Sequence, residues 1–258
     1  MVKETGKCGR NWEPPWTLGE RLKFALVPAT VYMRYKVAKE RRYGEAEIAL
    51  LPLLSDRRRV SLDIGANKGL YMWLLKDCSR AVHAFEPNPK MFRFLRRFAG
   101  GNISVSPFAL SNRNETTTLR VPRRRRGGYS SQGASLSKVK VADDYMGVEI
   151  SARRLDDLSI TDIGFIKIDV EGFEQAVLDG AQKIIANDRP TMLIEMEEAH
   201  TKRPIEEAIA AVEALGYHGL FLWRGVLRPI EFFDGERHHR AAVCREDYVF
   251  NFIFLPKQ

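Results

Sequence analysis

Cysteine is scarce in this chain. Its 258 residues include three, Cys8, Cys78 and Cys244, far apart in the sequence. They form neither an even disulfide set nor a metal-ligand spacing, so a disulfide scaffold is excluded and reduced thiols are expected. Long apolar runs are lacking too. The best candidate, Phe24 to Met33, is short and broken by Pro28, so no segment reads as membrane-spanning. The opening stretch MVKETGKCGRNWEPPW is polar and carries no apolar signal core, which makes cytoplasmic the expected location. An acidic excess is absent: the net charge is +8. Residues 1–59 hold 13 Lys and Arg against 7 Asp and Glu, so most of the basic excess is regional. Such a segment suits nucleic acid or anionic lipid. A solvated helix face is the favoured reading, with peripheral membrane contact through the basic N-terminal helices as the alternative.

What is present is an ordinary apolar fraction, 45%, arranged in alternating periods. Residues 1–16, with the breaker EPP, read as a disordered tail. Residues 17–56 read as a helical segment interrupted at Pro28 and Pro52. It is expected to cap the core, because Phe24, Leu26, Tyr32 and Tyr35 need partners. Residues 57–258 read as one α/β domain. RRVSLDI, AVHAFEP and NISVSPFAL read as strands, separated by helices at Leu70 to Lys76 and in PKMFRFLRRFA. That alternation implies parallel strands joined by right-handed crossovers. Residues 115–151 break the rhythm. Two strands, ETTTLRV and MGVEISARRL, flank the Gly/Ser-rich PRRRRGGYSSQGASLSK, an inserted hairpin with a long loop. A long loop inside a compact domain is usually functional or disordered. The alternation resumes with IGFIKIDV, EQAVLDGAQKIIAN, TMLIEM and PIEEAIAAVEALG. HGLFLW and DYVFNFIFLP finish the chain as strands, the last one antiparallel at or near the sheet edge.

The stretch VSLDIGANKGLYMWLLK sets Gly65, Ala66 and Gly69 between the first strand and its helix. A glycine turn there lets a ligand approach the backbone closely. It also lies in the crevice at the C-terminal ends of parallel strands. Three ligand classes compete for it. A nucleoside triphosphate loop needs Gly-Lys-Ser/Thr, but Gly69 is followed by Leu70. A dinucleotide fingerprint needs glycine where Asn67 and Leu70 stand, which disfavours a nicotinamide enzyme. S-adenosylmethionine, cationic and free of phosphate, suits the acid Asp63 at the strand end. Glu86 ends the next strand about twenty residues on, where a carboxylate can accept both ribose hydroxyls. A helix-start acid is the competing role for Glu86.

LDIGANKGLY, AFEPNP, FALSN, RRLDDL and FIKIDVEGFE follow one another in this order. On these motifs the chain resembles the FkbM-type methyltransferases, a branch of the class I S-adenosylmethionine-dependent fold, from about Glu45 to Leu255. The resemblance implies an α/β, Rossmann-like sheet of about seven strands, mostly parallel, with an antiparallel last strand and helices on both faces. It implies S-adenosylmethionine as cofactor and methyl transfer, commonly to oxygen, on a small molecule, saccharide or glycan. By the same resemblance Asp63, Gly65, Ala66, Asn67 and Gly69 shape the methionine end of the pocket, and Glu86 takes the ribose. Ala109 lies at the adenine, with Ser111 either an added polar contact or a plain turn residue.

In IKIDVEGFE, strand alternation turns Ile166 and Ile168 one way and Lys167 and Asp169 the other. Asp169 and Glu171 then stand at the strand mouth, beside the expected methyl group. Carboxylates gathered there need a positive partner: the sulfonium, a substrate ammonium, Lys167 or a divalent ion. Glu174 reads as a first-turn helix acid. An alcohol acceptor profits from a base. His200 is the candidate and Glu195 the second, with His238 and His239 ranked below. No dedicated metal site is expected, and a divalent ion is neither required nor excluded. Arg123, Arg124, Arg125 and Arg126 suit an anionic acceptor if their loop covers the site, against a solvated run as the plain alternative. An RNA methyltransferase is disfavoured because the arginines lack interleaved aromatic residues. A binding protein without catalysis is the remaining alternative, and the acids Asp169 and Glu171 speak against it.

Overall fold

The computed structural model describes residues 8–9, 12–124, 128–130, 133–141 and 144–257. After a two-residue strand, β1 (Cys8–Gly9), come helices α1 (Leu18–Leu26), α2 (Ala29–Tyr43) and the short α3 (Leu51–Leu54). Thr17 and Glu20 cap α1 reciprocally, and Pro28 separates α1 from α2. Pro52 interrupts nothing. It sits in the first turn of α3, where its missing N–H costs no bond.

The chain continues through β2 (Val60–Ile64), α4 (Leu70–Leu75), β3 (Ala81–Phe85), α5 (Pro89–Leu95), β4 (Ile103–Ser106) and β5 (Ala109–Leu110). NISVSPFAL is therefore two strands, β4 in the main sheet and β5 in a second, smaller one. The insert supplies that second sheet with an antiparallel pair, β6 (Glu115–Pro122) and β7 (Tyr145–Arg153). Next come β8 (Ile163–Ile168), α6 (Glu174–Asp179), α7 (Gln182–Asp188), β9 (Thr191–Glu195), α8 (Glu198–Thr201) and α9 (Ile205–Glu213). β10 (Tyr217–Trp223), β11 (Val226–Pro229) and β12 (Asn251–Pro256) close the fold.

The main sheet has eight strands in the order β11-β10-β12-β9-β8-β2-β3-β4. Neighbours from β9 to β4 are parallel. β12 runs antiparallel between β9 and β10, so the last strand lies inside the sheet and not at its edge. Its residues Asn251 to Phe254 are all buried, which an edge strand would not achieve. The β10–β11 hairpin forms that edge and raises the expected seven strands to eight.

Both faces are covered. Leu62, Ile64, Ile166 and Ile168 belong to one core with residues of α6, α7 and α9. Phe165, Leu193 and Ile253 belong to the other with residues of α2, α4 and α5. The N-terminal helices dock through Phe24 and Tyr32, whose rings meet Phe94, and through buried Lys90, whose ammonium lies 2.8 Å from Glu20. Leu26 and Tyr35, expected to need partners, stay exposed. In the stretch expected to be a disordered tail, Trp12 packs on Tyr129, Trp16 on Phe24, and Glu13 pairs with Arg93. Among the described residues no helix is long and apolar enough to cross a membrane.

Candidate active site

The strand order reverses at β2. The chain leaves β2 for β3 and β4 on one side and returns to β8 on the other. Open α/β sheets bind ligands outside the strand ends at such a point. Here a cleft in two halves meets at Gly65, Asn67 and Asp169, which line both. One half passes Glu86, Ala109 and Leu110 and is closed by Ala134 and Leu136 of the insert. The other passes Asp63, Ala66 and Tyr71 and runs along α2.

Two of the turn glycines do different jobs. Gly65 has φ 85°, and a Cβ there would collide with the Asp169 carbonyl oxygen, so the β2 and β8 ends approach only because residue 65 is glycine. Gly69 has φ 73°, and its Cβ would come 2.7 Å from Leu95 Cδ2 and 2.9 Å from Met72 Cε. It lets α4 pack near α5 and is not on the cleft wall, contrary to the expectation that it shapes the ligand end.

Asp63 is buried, and its Oδ2 accepts the Met72 N–H at 2.8 Å, which holds the first turn of α4. Burial pushes its pKa up to about 7. Glu86 is buried likewise and accepts the N–H groups of Asn67 at 2.6 Å and Asn88 at 2.8 Å. Its pKa also rises to about 7, mainly through burial. Each Glu86 oxygen uses one lone pair on a backbone amide, leaving a second direction open on each. Asn67, with φ 47°, has a buried Oδ1 with no hydrogen-bond partner. Ala109 lines the cleft, but Ser111 does not. Ser111 is buried with its hydroxyl 3.4 Å from Asn112 Oδ1, as a turn residue would be.

Asp169 stands at the junction of the two halves. Burial raises its pKa, against the opposing charge of Lys167. No hydrogen bond among the described residues reaches its carboxylate, while its backbone N–H is tied to the Ile64 carbonyl at 2.9 Å. Lys167 is buried and lies 3.3 Å from Asn251 Oδ1. Burial lowers its pKa, but Asp169, Glu195, Glu45 and Asp63 outweigh that and keep it charged. Glu195 is pushed up to about 8, first by burial and then by Asp169.

The sequence offered no hint of Lys140. This insert residue ion-pairs with Glu171 and places its Nζ 2.6 Å from His200 Nε2. Burial, and then the Lys140 charge, pulls His200 down to about 4, so its ring is neutral near pH 7. Glu171, Glu195 and His200 each bring one ligand atom within 4.8 Å of the others, a spacing able to hold a cation. Lys140 supplies a positive charge at that cluster. The insert is pinned there by Ser135, whose hydroxyl donates to the Glu171 carbonyl at 2.6 Å, and by Ser137, 3.3 Å from the His200 carbonyl. Glu174 is buried at the start of α6 and accepts the Gly172 N–H at 2.9 Å.

Arg123 and Arg124 of the arginine run are not on the cleft wall. Arg123 pairs with Asp144 at 3.7 Å and lies over Tyr129, and the Arg124 N–H donates to the Gly128 carbonyl. Arg125 and Arg126 lie outside the described residues. His238 and His239 are core residues, the first against Phe221 and Trp223, the second bonded to the Val249 carbonyl at 2.8 Å.

A mostly parallel sheet with an antiparallel strand let in near one end, and a cleft between its first and fourth parallel strands, define a class I methyltransferase. The profile of the methyltransferase FkbM domain matches residues 63–218, more than half of the chain, and the chain belongs to that family. Over 249 residues it is 29% identical to the 31-O-demethyl-FK506 methyltransferase FkbM of Streptomyces tacrolimicus, covering 78% of this chain and 91% of that one. Among solved structures it is similar to the methyltransferase FkbM of Methylobacillus flagellatus, at 18% identity and a TM-score of 0.49 over 88% of this chain. It spans 55% of the length of that protein. A TehB-like SAM-dependent methyltransferase of Corynebacterium glutamicum matches at 14% identity and a TM-score of 0.45, over 89% of this chain and 98% of that one. S-adenosylmethionine is the methyl donor of this class. The residues present fit it: an unpartnered Asn67 Oδ1, two open acceptor directions on Glu86 and a glycine-tight strand end.

Proposed function

We propose that the protein transfers the methyl group of S-adenosylmethionine to a hydroxyl oxygen of a small molecule or saccharide. The observation that carries this reading is Asp169, a half-buried carboxylate that no hydrogen bond reaches among the described residues, standing where the two cleft halves join. The name of the Streptomyces relative, which speaks of an O-demethyl substrate, supports oxygen as the acceptor atom.

Gly65 and Asn67 hold the methionine end of the cofactor, Glu86 its ribose, and Ala109 with Leu110 its adenine. The bound cofactor supplies an electrophilic methyl group on sulfur. Asp169 orients the acceptor hydroxyl and takes its proton as the new oxygen–carbon bond forms. A raised pKa makes it a stronger base than an ordinary aspartate. Lys167 and Lys140 balance the surrounding acids, so the site tolerates Asp169, Glu171 and Glu195 together. His200, neutral but with its Nε2 occupied by Lys140, is the second candidate for the proton. Ala134 and Leu136 close the nucleoside half against water.

The test is a screen with labelled methyl donor against saccharides, glycans, lipids and RNA. Asp169→Asn should keep its affinity for S-adenosylhomocysteine and lose about a hundredfold or more in turnover. Normal turnover by this variant at saturating acceptor removes Asp169 from the chemistry, and transfer to RNA bases removes the hydroxyl acceptor. Lys140→Ala should lower turnover, because the Lys140 charge helps to keep Asp169 ionised among its neighbouring acids. Chelator should leave the wild type unchanged. Chelator inhibition reversed by magnesium would hand the cation role to a metal ion on Glu171, Glu195 and His200.

A further inference from the structure

The half of the cleft along α2 is walled by cations. Lys23 comes from α1, Lys36 and Lys39 from α2, and Lys68 from the glycine turn. Among the described residues none of these four makes an ion pair or a hydrogen bond to its ammonium, although Lys23 lies over the Tyr32 ring. Glu40 is the acid at their level. Its Oε2 is folded back against Gly44, into the place a Cβ on that glycine would take. The deeper acids are already engaged. Glu45 accepts from Tyr71 and Asn251, Asp63 from Met72, and Asp169 faces Lys167.

The lysines feel one another. Burial, and then the charge of Lys68, pulls Lys36 down to about 8. Burial also lowers Lys68, and Lys23, Arg124 and Lys90 add to that against the pull of Glu20. Arg124 of the arginine run thus acts on this mouth from outside the wall. The space is also large. The cavity measures about 410 Å³, against about 50 Å³ in the nucleoside half. A single cofactor carboxylate carries one charge and leaves most of these cations unmatched.

We propose that Lys23, Lys36, Lys39 and Lys68 bind a diphosphate group on the methyl acceptor, which brings a hydroxyl of that acceptor to Asp169. Lysine ammoniums act as point charges for phosphate oxygens, and a group bearing two or more negative charges relieves the repulsion among four of them. The proposal rests on the methyltransferase reading of the same cleft and narrows its acceptor to a phosphorylated one. The diphosphate could belong to a soluble nucleotide-linked sugar or to a lipid-linked one.

The experiment is calorimetric titration of inorganic pyrophosphate into the full chain, free and loaded with S-adenosylhomocysteine, alongside the Lys36→Gln/Lys68→Gln double variant. Pyrophosphate should bind the loaded wild type at one site per chain, weaken steeply with salt, and lose at least tenfold in affinity in the double variant. The variant should hold S-adenosylhomocysteine within about threefold of wild type. No pyrophosphate binding to the wild type overturns the proposal, and that arm needs no variant to fold. Equal pyrophosphate affinity in both proteins also overturns it. So does a loss confined to S-adenosylhomocysteine, which would assign the lysines to the cofactor carboxylate. Failure of the methyltransferase reading shows separately, as wild type that binds no S-adenosylhomocysteine at all. UDP-glucose and vesicles containing a polyprenyl diphosphate serve as further arms. Lysine-dependent binding of the first supports a soluble source, and lysine-dependent binding of the second a lipid one.

Discussion

The two halves of the cleft are built by different means. The nucleoside half is made of backbone and short-range contacts: Gly65 against Asp169, the Asn67 and Asn88 amides on Glu86, and the β5 residues Ala109 and Leu110. Its Glu86 carboxylate is fixed by hydrogen bonds before any ligand arrives. The lysine-walled half is made of long side chains from α1, α2 and the glycine turn, whose four lysines make no ion pair among the described residues. Beside them Lys140 of the insert meets Glu171 and, sixty residues along the chain, His200. A half built on backbone contacts suits an invariant cofactor, while a half walled by long cationic side chains suits an acceptor bound through charge.

The sharpest way to break this contrast is at their shared wall. Gly65→Ala should destabilise the protein by roughly 1–2 kcal/mol for its positive φ and by roughly 1–3 kcal/mol more for overpacking against Asp169. Both halves should fail together, with S-adenosylhomocysteine binding lost in calorimetry. A folded variant that binds normally would show that the strand ends do not need this approach. Glu86→Ala acts on one half. Loss of a charged hydrogen bond of roughly 1.5–3 kcal/mol should weaken S-adenosylhomocysteine by about ten- to a hundredfold and spare pyrophosphate binding. Unchanged cofactor affinity would remove Glu86 from the ribose.

The smallest effect is a dependence on pH. In the folded chain Asp63 and Glu86 titrate near about 7 and Glu195 near about 8, all above their ordinary values. The folded chain then holds protons that the unfolded chain has already released. Their contribution to stability is complete below the ordinary carboxylate range and is lost as pH rises through 7 to 8. The melting temperature of the ligand-free protein should fall between pH 5 and pH 8, by roughly 2–4 °C for each kcal/mol of stability lost in a chain of this size. Glu195→Gln should flatten the upper part of that fall. A flat profile in the wild type would mean that Lys167 and its neighbours already compensate these acids.

The strands that carry the site could be read from the sequence because their signals are local. VSLDI and FIKID are apolar runs ending in an acid, and the glycine turn and AFEPNP follow at fixed short distances. Hydrophobic period, glycine conformation and strand alternation operate over a few residues, so they were enough for the α/β class and for turning Lys167 to the face opposite Ile166 and Ile168. The same local reasoning gave Gly69 to the ligand, because sequence cannot tell a glycine that admits a ligand from one that admits Leu95. It also placed the last strand, correctly antiparallel, no more closely than at or near the edge. Only pairing showed β12 buried between β9 and β10. Tertiary structure alone decided what charge sits at the strand mouth. Lys140 on Glu171 and His200, Asn251 on Glu45 and Lys167, and four lysines around one opening come from segments far apart in the chain. Coulomb forces and burial act through space, and no spacing along the chain encodes which distant charges the fold brings within a few ångströms of one another.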